Sequence, residues 1–283
     1  MQKNVKLASF GLSDIGLSRP NNEDAWVALP EKNFFALADG MGGHQAGEIA
    51  AQSTINLLQN SIAKLNQDAS TTPIEIAEEL KRLIESTNQT IYEMSRKDPM
   101  LSGMGTTLCC LLWTSRFVLY AHVGDSRIYR LKQGKLEQLT QDHSLYSQWM
   151  SYGIIAERCE TPFPYKNVIT KAIGTHKKVK PEIGICSFEP KDLFLLCSDG
   201  LSDVLSEIDI QKILERSETL ELAAFRLIEK AKIKGSNDNI TVLLVQCLDE
   251  PENIFRQQRH DTPRPEDLAD DHLRSEQSSG KSL

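Results

Sequence analysis

The sequence predicts an α+β fold built on antiparallel sheets. Two observations carry that expectation: strand-like runs follow one another through short turns between residues 107 and 139, and the helical stretches are grouped apart from them. A third narrows it, because the chain shows no dinucleotide-binding glycine fingerprint, no Walker loop and no internal repeat.

In order, the first segment is residues 25–29, a strand-like run preceded by Glu23-Asp24. Phe34-Phe35-Ala36-Leu37-Ala38 is a short apolar run halted by Asp39-Gly40, the pattern of a buried strand ending in a turn. Beyond the glycines, Ile49, Ala50, Ile55, Leu58, Ile62 and Leu65 recur at roughly helical spacing. A second helix is expected from Pro73, since proline suits the first turn and Glu75, Glu78 and Glu79 favour the positive end of the dipole. Its apolar stripe (Ile76, Leu80, Leu83, Ile84, Ile91, Met94) is expected in the core. Strands over 107–113, 117–123 and 127–131 are rich in β-branched, aromatic and aliphatic residues, and Lys132-Gln133-Gly134-Lys135 forms a hairpin connection into 136–139. Residues 193–197 repeat the opening theme, an apolar run halted by Ser198-Asp199-Gly200. Helices over 207–215 and 219–232 come next, with Ser206 and Ser217 as candidate caps and Gly235 as a stop. A last strand over 240–245 starts directly after Asp238-Asn239.

The chain has 283 residues, 39 acidic and 32 basic, for a net charge of −7. Its composition shifts near residue 249: residues 249–283 are polar, hold Pro251, Pro263 and Pro265, and carry −4 of that total. With too few apolar residues to offset ordering entropy, this stretch reads as a mobile tail, or else as a docking segment for a partner. Residues 1–248 then form one domain, close to neutral and long enough for a sizeable core. No basic cluster marks a nucleic-acid surface. No apolar run approaches the ~20 residues that span a bilayer, and the opening Met-Gln-Lys-Asn-Val-Lys lacks the apolar stretch of a secretion signal. A cytoplasmic protein is expected. Cys109, Cys110, Cys197 and Cys247 lie in apolar runs, where cysteine acts as a small hydrophobe, and no cysteine spacing suits structural zinc. Reduced thiols are expected, with Cys159 the candidate for redox sensitivity.

Acidic residues stand where strands give way to turns: Asp39 in Asp-Gly-Met-Gly-Gly-His, Asp125 in Gly-Asp-Ser-Arg, Asp199 in Ser-Asp-Gly and Asp238 in Asn-Asp-Asn. One such turn alone is ordinary, because Asp bonds its own backbone and Gly accepts positive φ. Several together differ. Strand ends aim their carboxylates at a shared sheet edge, where they repel strongly unless a cation joins them. Carboxylates and carbonyls without a thiolate or imidazole cluster suit hard ions such as Mg²⁺ or Mn²⁺ and disfavour zinc. Gly40 lets its carbonyl approach a metal with no side chain in the way. Two such ions about 3.5–4 Å apart hold a water and lower its pKa for in-line attack on phosphorus. Arg19, just before Glu23, offers a planar fork to two phosphate oxygens.

Arg19-Pro-Asn-Asn-Glu-Asp, Ala38-Asp-Gly-Met-Gly-Gly-His, Gly105-Thr-Thr, Val123-Gly-Asp-Ser-Arg, Asp142-His-Ser, Thr170-Lys-Ala-Ile-Gly, Cys197-Ser-Asp-Gly-Leu and Asp238-Asn-Ile-Thr occur in the order seen in the metal-dependent type 2C Ser/Thr protein phosphatases. Over residues 7–247 the chain resembles a bacterial-type member of that family. The resemblance implies a β-sandwich of two antiparallel sheets flanked by helix pairs, with metals in a cleft at one end. It implies Asp39 bridging two Mn²⁺ or Mg²⁺ ions, with the Gly40 carbonyl on one and Asp199 and Asp238 on the other. Glu23 and Asp24, with Asn239 beside them, would hold metal-bound waters. Asp125 with Asp199 would take a third, weaker ion, and Arg19 would grip the substrate phosphate.

The implied reaction is hydrolysis of phosphoserine or phosphothreonine by direct attack of a hydroxide held between the ions. A phosphocysteine route lacks its Cys-x₅-Arg loop. The implied partners are phosphorylated proteins, including a cognate Ser/Thr kinase and its substrates, and the implied state is a monomer. The rival reading is a catalytically silent member that binds phosphoproteins or scaffolds a complex. Silent members usually lose metal carboxylates, whereas Asp39, Asp199 and Asp238 are all present.

One departure touches mechanism. Many eukaryotic members place a His after the Asp-Gly as candidate acid for the leaving alkoxide. Here Met41 stands there and the nearest His is His44, as in bacterial members. His44 as general acid, a metal-bound water as proton donor with His44 uninvolved, and a structural loop His all stay open. His143 reads as a loop support with no acidic partner at helical spacing, and His122 as a satisfied mid-strand residue. Residues 149–167 read as irregular, with Gly153, Pro162 and Pro164, and the resemblance implies that they form a flap beside the cleft, whose amphipathic side chains pack the flap or contact peptide.

Overall fold

The computed structural model describes residues 5–42, 45–63, 65, 71–153 and 168–248. Strands β1 (Leu7–Asp14), β2 (Asp24–Leu29) and β3 (Phe34–Met41) lead into helices α1 (Gln45–Ile62) and α2 (Pro73–Lys97). Next come β4 (Gly105–Thr106), β5 (Leu108–Trp113), β6 (Val118–Val123), β7 (Arg127–Lys132) and β8 (Lys135–Gln138). Helix α3 (Leu145–Ser151) precedes β9 (Glu182–Cys186), β10 (Leu193–Cys197), α4 (Asp199–Ser202), α5 (Glu207–Glu215), α6 (Leu220–Ile233) and β11 (Ile240–Cys247). One sheet has the order β1-β11-β10-β7-β8 and the other β2-β3-β5-β6-β9, with β4 added to β3. The pairings are antiparallel.

The apolar runs are explained by burial on both faces. In β3, Phe34, Ala36 and Ala38 turn toward α1 and α2, while Phe35 and Leu37 turn toward the other sheet. In β10, Leu193, Leu195 and Cys197 meet α5 and α6, while Phe194 and Leu196 face the first run across the sandwich. Trp113 is wedged edge-on between Phe35 at 5.4 Å and Phe194 at 5.1 Å. Each such side chain contributes about 1.5–3 kcal/mol by leaving water. The layers are therefore helix pair, sheet, sheet, helix pair, as expected.

Helix starts carry their own signals. Thr72 accepts the Glu75 amide at 3.2 Å and Glu75 accepts the Thr72 amide at 2.7 Å, a capping box before Pro73. Ser206 caps α5, and Gly235, at φ +82°, comes after α6. Ser217 does not cap α6: it donates to the Ile213 carbonyl, and Thr219 accepts the Leu222 amide instead.

Other boundaries also differ from expectation. β3 does not stop at Ala38 but runs on to Met41, because β4 supplies ladder partners to Gly40 and Met41. β1, β9, α3 and α4 carry no pattern strong enough to be read from the sequence, and every residue of β1 is half-buried. α3 takes in the first residues of the segment expected to be irregular, capped by Ser144. Residues 154–167, His44, Cys159 and the tail 249–283 lie outside the described residues. Among the described residues no helix is long and apolar enough to cross a membrane.

Candidate metal centre

Strand ends from both sheets bring the acidic residues to one edge. The β2–β3 register sets Asp24 opposite Asp39. β10 and β11 are ladder neighbours with Cys197 opposite Val242, so Asp199, which opens α4, lies beside Asp238, just ahead of β11. Gly200 makes this approach close, since a Cβ there would lie 2.0 Å from the Asn239 carbonyl oxygen and 3.4 Å from Asp238 Cβ. Asp125 sits in the turn between β6 and β7, tied back by the Thr107–Ser126 hydroxyl pair at 2.7 Å.

Asp39 is pinned through its backbone. Its carbonyl accepts the Thr106 hydroxyl and the Thr107 amide, both at 2.8 Å, and its amide donates to Thr107 Oγ1 at 3.0 Å. Gly40 is held by two crowded contacts. A Cβ there would lie 2.3 Å from the Gly47 carbonyl oxygen and 2.6 Å from that of Glu23. At Gly47 a Cβ would meet Glu23 Oε2 at 2.0 Å, so Gly47 makes room for the Glu23 carboxylate while Gly40 makes room for the Glu23 backbone.

The electrostatics identify what the edge would hold. Burial, then the charges of Asp24, Asp199, Asp125 and Asp238, push the Asp39 carboxyl well above the carboxylate range. Asp199 is raised the same way, by burial and then Asp125 and Asp238. Burial lifts Asp24 to about 6 despite the Thr241 hydroxyl bond of 2.6 Å, and lifts Asp125 to about 6 with help from Asp142. Asp24 Oδ1, Asp125 Oδ1 and Asp199 Oδ1 are buried with no hydrogen-bond partner among the described residues. Buried carboxylate oxygens that repel one another and find no donor are a poor end state for a protein alone. All-oxygen donors of this charge fit a hard divalent cation, so the residues present suit the expected metals.

The rest of the expected set lies around this edge. Arg19, half-exposed at the rim, donates from Nη2 to Asp238 Oδ2 at 2.7 Å. Asn239 is a staple: it accepts the Glu23 amide and donates to the Ile15 and Asn21 carbonyls, each at 2.9 Å. Its amide is thus engaged with the loop that carries Glu23. A small cavity of about 60 Å³ beside Asp199 and Asp125 is also lined by Asp142 and Asp203, which sequence reasoning missed as site acids. Asp142 is held by Arg127 through contacts of 2.7, 3.0 and 3.1 Å. Asp203 stands one helical turn from Asp199, a spacing that could have signalled it.

His143 has an acidic partner, Glu182, from a strand distant in the chain and not at helical spacing. Its Nδ1 accepts the Gly124 amide at 3.0 Å, which places the proton on Nε2, 2.8 Å from Glu182 Oε1. Burial keeps the ring neutral and pushes its pKa down to about 4. His122 stacks on it at 4.5 Å and bonds the Gln141 carbonyl through Nε2, but its buried Nδ1 has no partner among the described residues. His122, His143 and Glu182 bring possible ligand atoms within 4.8 Å of one another. Lys171 Nζ already neutralises Glu182 at 3.0 Å, so the trio acts as a buttress for the loop before Asp125.

Comparison with known proteins gives the family. The family model described as protein phosphatase 2C matches residues 18–228. The serine/threonine phosphatase stp of Listeria monocytogenes serotype 4b (strain F2365) is 37% identical over 237 residues, 83% of this chain and 93% of that protein. Protein phosphatase PhpP of Streptococcus pneumoniae serotype 2 (strain D39 / NCTC 7466) is 35% identical over 242 residues, 84% of this chain and 97% of its own. The crystal structure of the Mycobacterium tuberculosis serine/threonine phosphatase PstP/Ppp superposes with a TM-score of 0.77 at 36% identity, covering 86% of this chain and 99% of that one. A PstP catalytic domain in complex with two manganese ions superposes with a TM-score of 0.73 at 36% identity, over 86% and 99% of the two chains. The chain belongs to the protein phosphatase 2C family.

Proposed function

We propose that this chain hydrolyses phosphoserine and phosphothreonine in proteins with two Mn²⁺ or Mg²⁺ ions held by Asp39, the Gly40 carbonyl, Asp199 and Asp238, and a third, weaker ion at Asp125 and Asp199. The observation that carries this reading is the edge of mutually repelling carboxylates with orphaned buried oxygens. The names of its relatives and the manganese-bound PstP structure support it. When bound, such ions supply charge neutralisation and a water acidic enough to attack phosphorus directly.

This chain's own groups supply the positioning. Asp39 presents its carboxylate from a backbone fixed on both sides by Thr106 and Thr107. Asp24 keeps Oδ2 on Thr241, leaving Oδ1 to accept a hydrogen bond from water. Asn239 and the Gly40–Gly47 contact set the height of Glu23 above the edge. Arg19 leaves Asp238 and offers its planar fork to the phosphate oxygens. His44 or water returns a proton to the leaving alkoxide. His44→Ala should slow a phosphothreonine peptide more than an aryl phosphate, whose leaving group needs no proton, and equal slowing contradicts the acid role.

The partners in this reading are phosphorylated proteins, among them a cognate Ser/Thr kinase and its substrates. The catalytic unit is residues 1–248 acting as a cytoplasmic monomer, with 249–283 as an appended tail. The direct test is aryl-phosphate hydrolysis with Mn²⁺, with EDTA, and in Asp199→Asn. Turnover should need metal and fall by more than about 100-fold in the variant, since even partners outside the ligand set cost 10–100-fold. Turnover in EDTA, or none with metal, overturns the reading.

A further inference from the structure

A second charged feature lies outside the carboxylate edge, and its tie to the substrate rests on the phosphatase reading, which it extends. Helix α2 and the segment 174–180 form the walls of an open groove of about 740 Å³. Lys81 and Arg82 line it from α2, and Lys177, Lys178 and Lys180 line it from the segment, against the single carboxylate of Glu85. This is a concentration of positive charge on a chain of net charge −7. Lys81 reaches Glu78 at 3.4 Å, whereas Lys177, Lys178 and Lys180 are exposed and form no ion pair among the described residues.

The walls are fixed before anything binds. Asn88 of α2, fully buried, donates to the carbonyls of His176 at 3.0 Å and Lys177 at 3.3 Å, and accepts the Gly174 amide at 2.8 Å. Gly174, at φ +86°, lies so close to Ile91 that a Cβ would come within 2.5 Å of it. Val179 packs into the core and leaves its lysine neighbours outside. The segment also reaches the candidate centre: Ile173 bridges Thr106, whose hydroxyl holds the Asp39 carbonyl at 2.8 Å. From Ile173 to Lys180 the chain can span at most about 25 Å, a distance that an extended substrate peptide covers in about seven residues.

We propose that this groove docks a carboxylate-rich stretch of the phosphoprotein substrate, within about seven residues of the phosphorylated side chain. Lysine ammoniums on flexible stems suit Asp and Glu side chains in varied register. The lining holds no aromatic ring on which a nucleic-acid base could stack.

The test uses the full chain and two phosphothreonine peptides of equal length, one with a flanking run of Glu and one with Gln in its place. The Glu peptide should show about tenfold higher kcat/KM, carried by KM. That advantage should vanish in Lys177→Glu/Lys178→Glu/Lys180→Glu and in about 0.5 M salt, with aryl-phosphate turnover unchanged in the variant. No advantage in the wild type, or an advantage that survives the triple substitution, overturns the proposal. So does a gain seen only with a second phosphate in place of Glu, or tighter binding of single-stranded DNA. Anisotropy of a labelled, unphosphorylated Glu peptide reads the groove without turnover. Weaker binding in the variant supports docking even where aryl-phosphate hydrolysis fails, equal binding refutes it, and failed hydrolysis counts only against the phosphatase reading.

Discussion

Asp39-Gly40 comes after the apolar run Phe34 to Ala38, and Asp199-Gly200 after the run Leu193 to Cys197 and Ser198, yet the chain leaves the two in opposite ways. After Asp39 the strand continues, because β4 offers partners to Gly40 and Met41. After Ser198 the chain turns into the short helix α4, because Leu201 and Asp203 close amide bonds back to Ser198 and Asp199. Both glycines face backbone atoms that a Cβ would strike, the Gly47 and Glu23 carbonyls at Gly40 and the Asn239 carbonyl at Gly200. Two different local structures thus serve one requirement, which is to let a carboxylate approach its neighbours from each sheet. Tertiary pairing, not the dipeptide, selects the backbone form.

The largest effects should come from filling those contacts. Gly200→Ala and Gly40→Ala should each lower stability by about 3 kcal/mol, because the atoms struck are backbone and cannot step aside. Denaturant unfolding measures this. Gly200→Ala should cost more, its contact being 2.0 Å against 2.3 Å, and the reverse order would show that the strand side is the more rigid. Asn239→Ala should act more weakly, by about 1–3 kcal/mol, since it unties the Ile15–Glu23 loop without a clash. Its KM for a phosphopeptide should rise more than its kcat falls, and a fall in kcat alone would mean that the staple serves the reaction and not the loop.

Legibility in the sequence obeys the same physics. Residues 193–197 are readable with the observed bounds because both faces of β10 are covered, which leaves an unbroken apolar run. Asp39, Asp199 and Asp238 stand out because each follows or precedes such an apolar run and because the motif order resembles a family. β1 is not legible, since it pairs with β11 along a half-buried edge and mixes small, polar and apolar residues. Glu182 as the partner of His143 cannot be foreseen, because the two lie on segments distant in the chain. Lys177-Lys178-Val179-Lys180 is a basic cluster legible in the sequence, against the expectation of none, and only its meeting with Lys81 and Arg82 of α2 is not. Thr219 displaces Ser217 as a cap because α5 recruits the Ser217 hydroxyl for its own last turn.

The central claim is that a divalent ion joins the carboxylates at this edge, and the pH dependence of metal stabilisation tests it. Asp24 and Asp125, raised to about 6, hold protons between about pH 4 and 6 that the unfolded chain has already released. Without metal, their contribution to stability therefore falls as pH rises through that window. An ion that needs them ionised removes this loss. Thermal unfolding with EDTA and with Mn²⁺ should show a melting-temperature gain that widens steadily from pH 5 to 7 and nearly disappears in Asp39→Asn. A gain that is constant across that range, or equal in Asp39→Asn, would contradict the account.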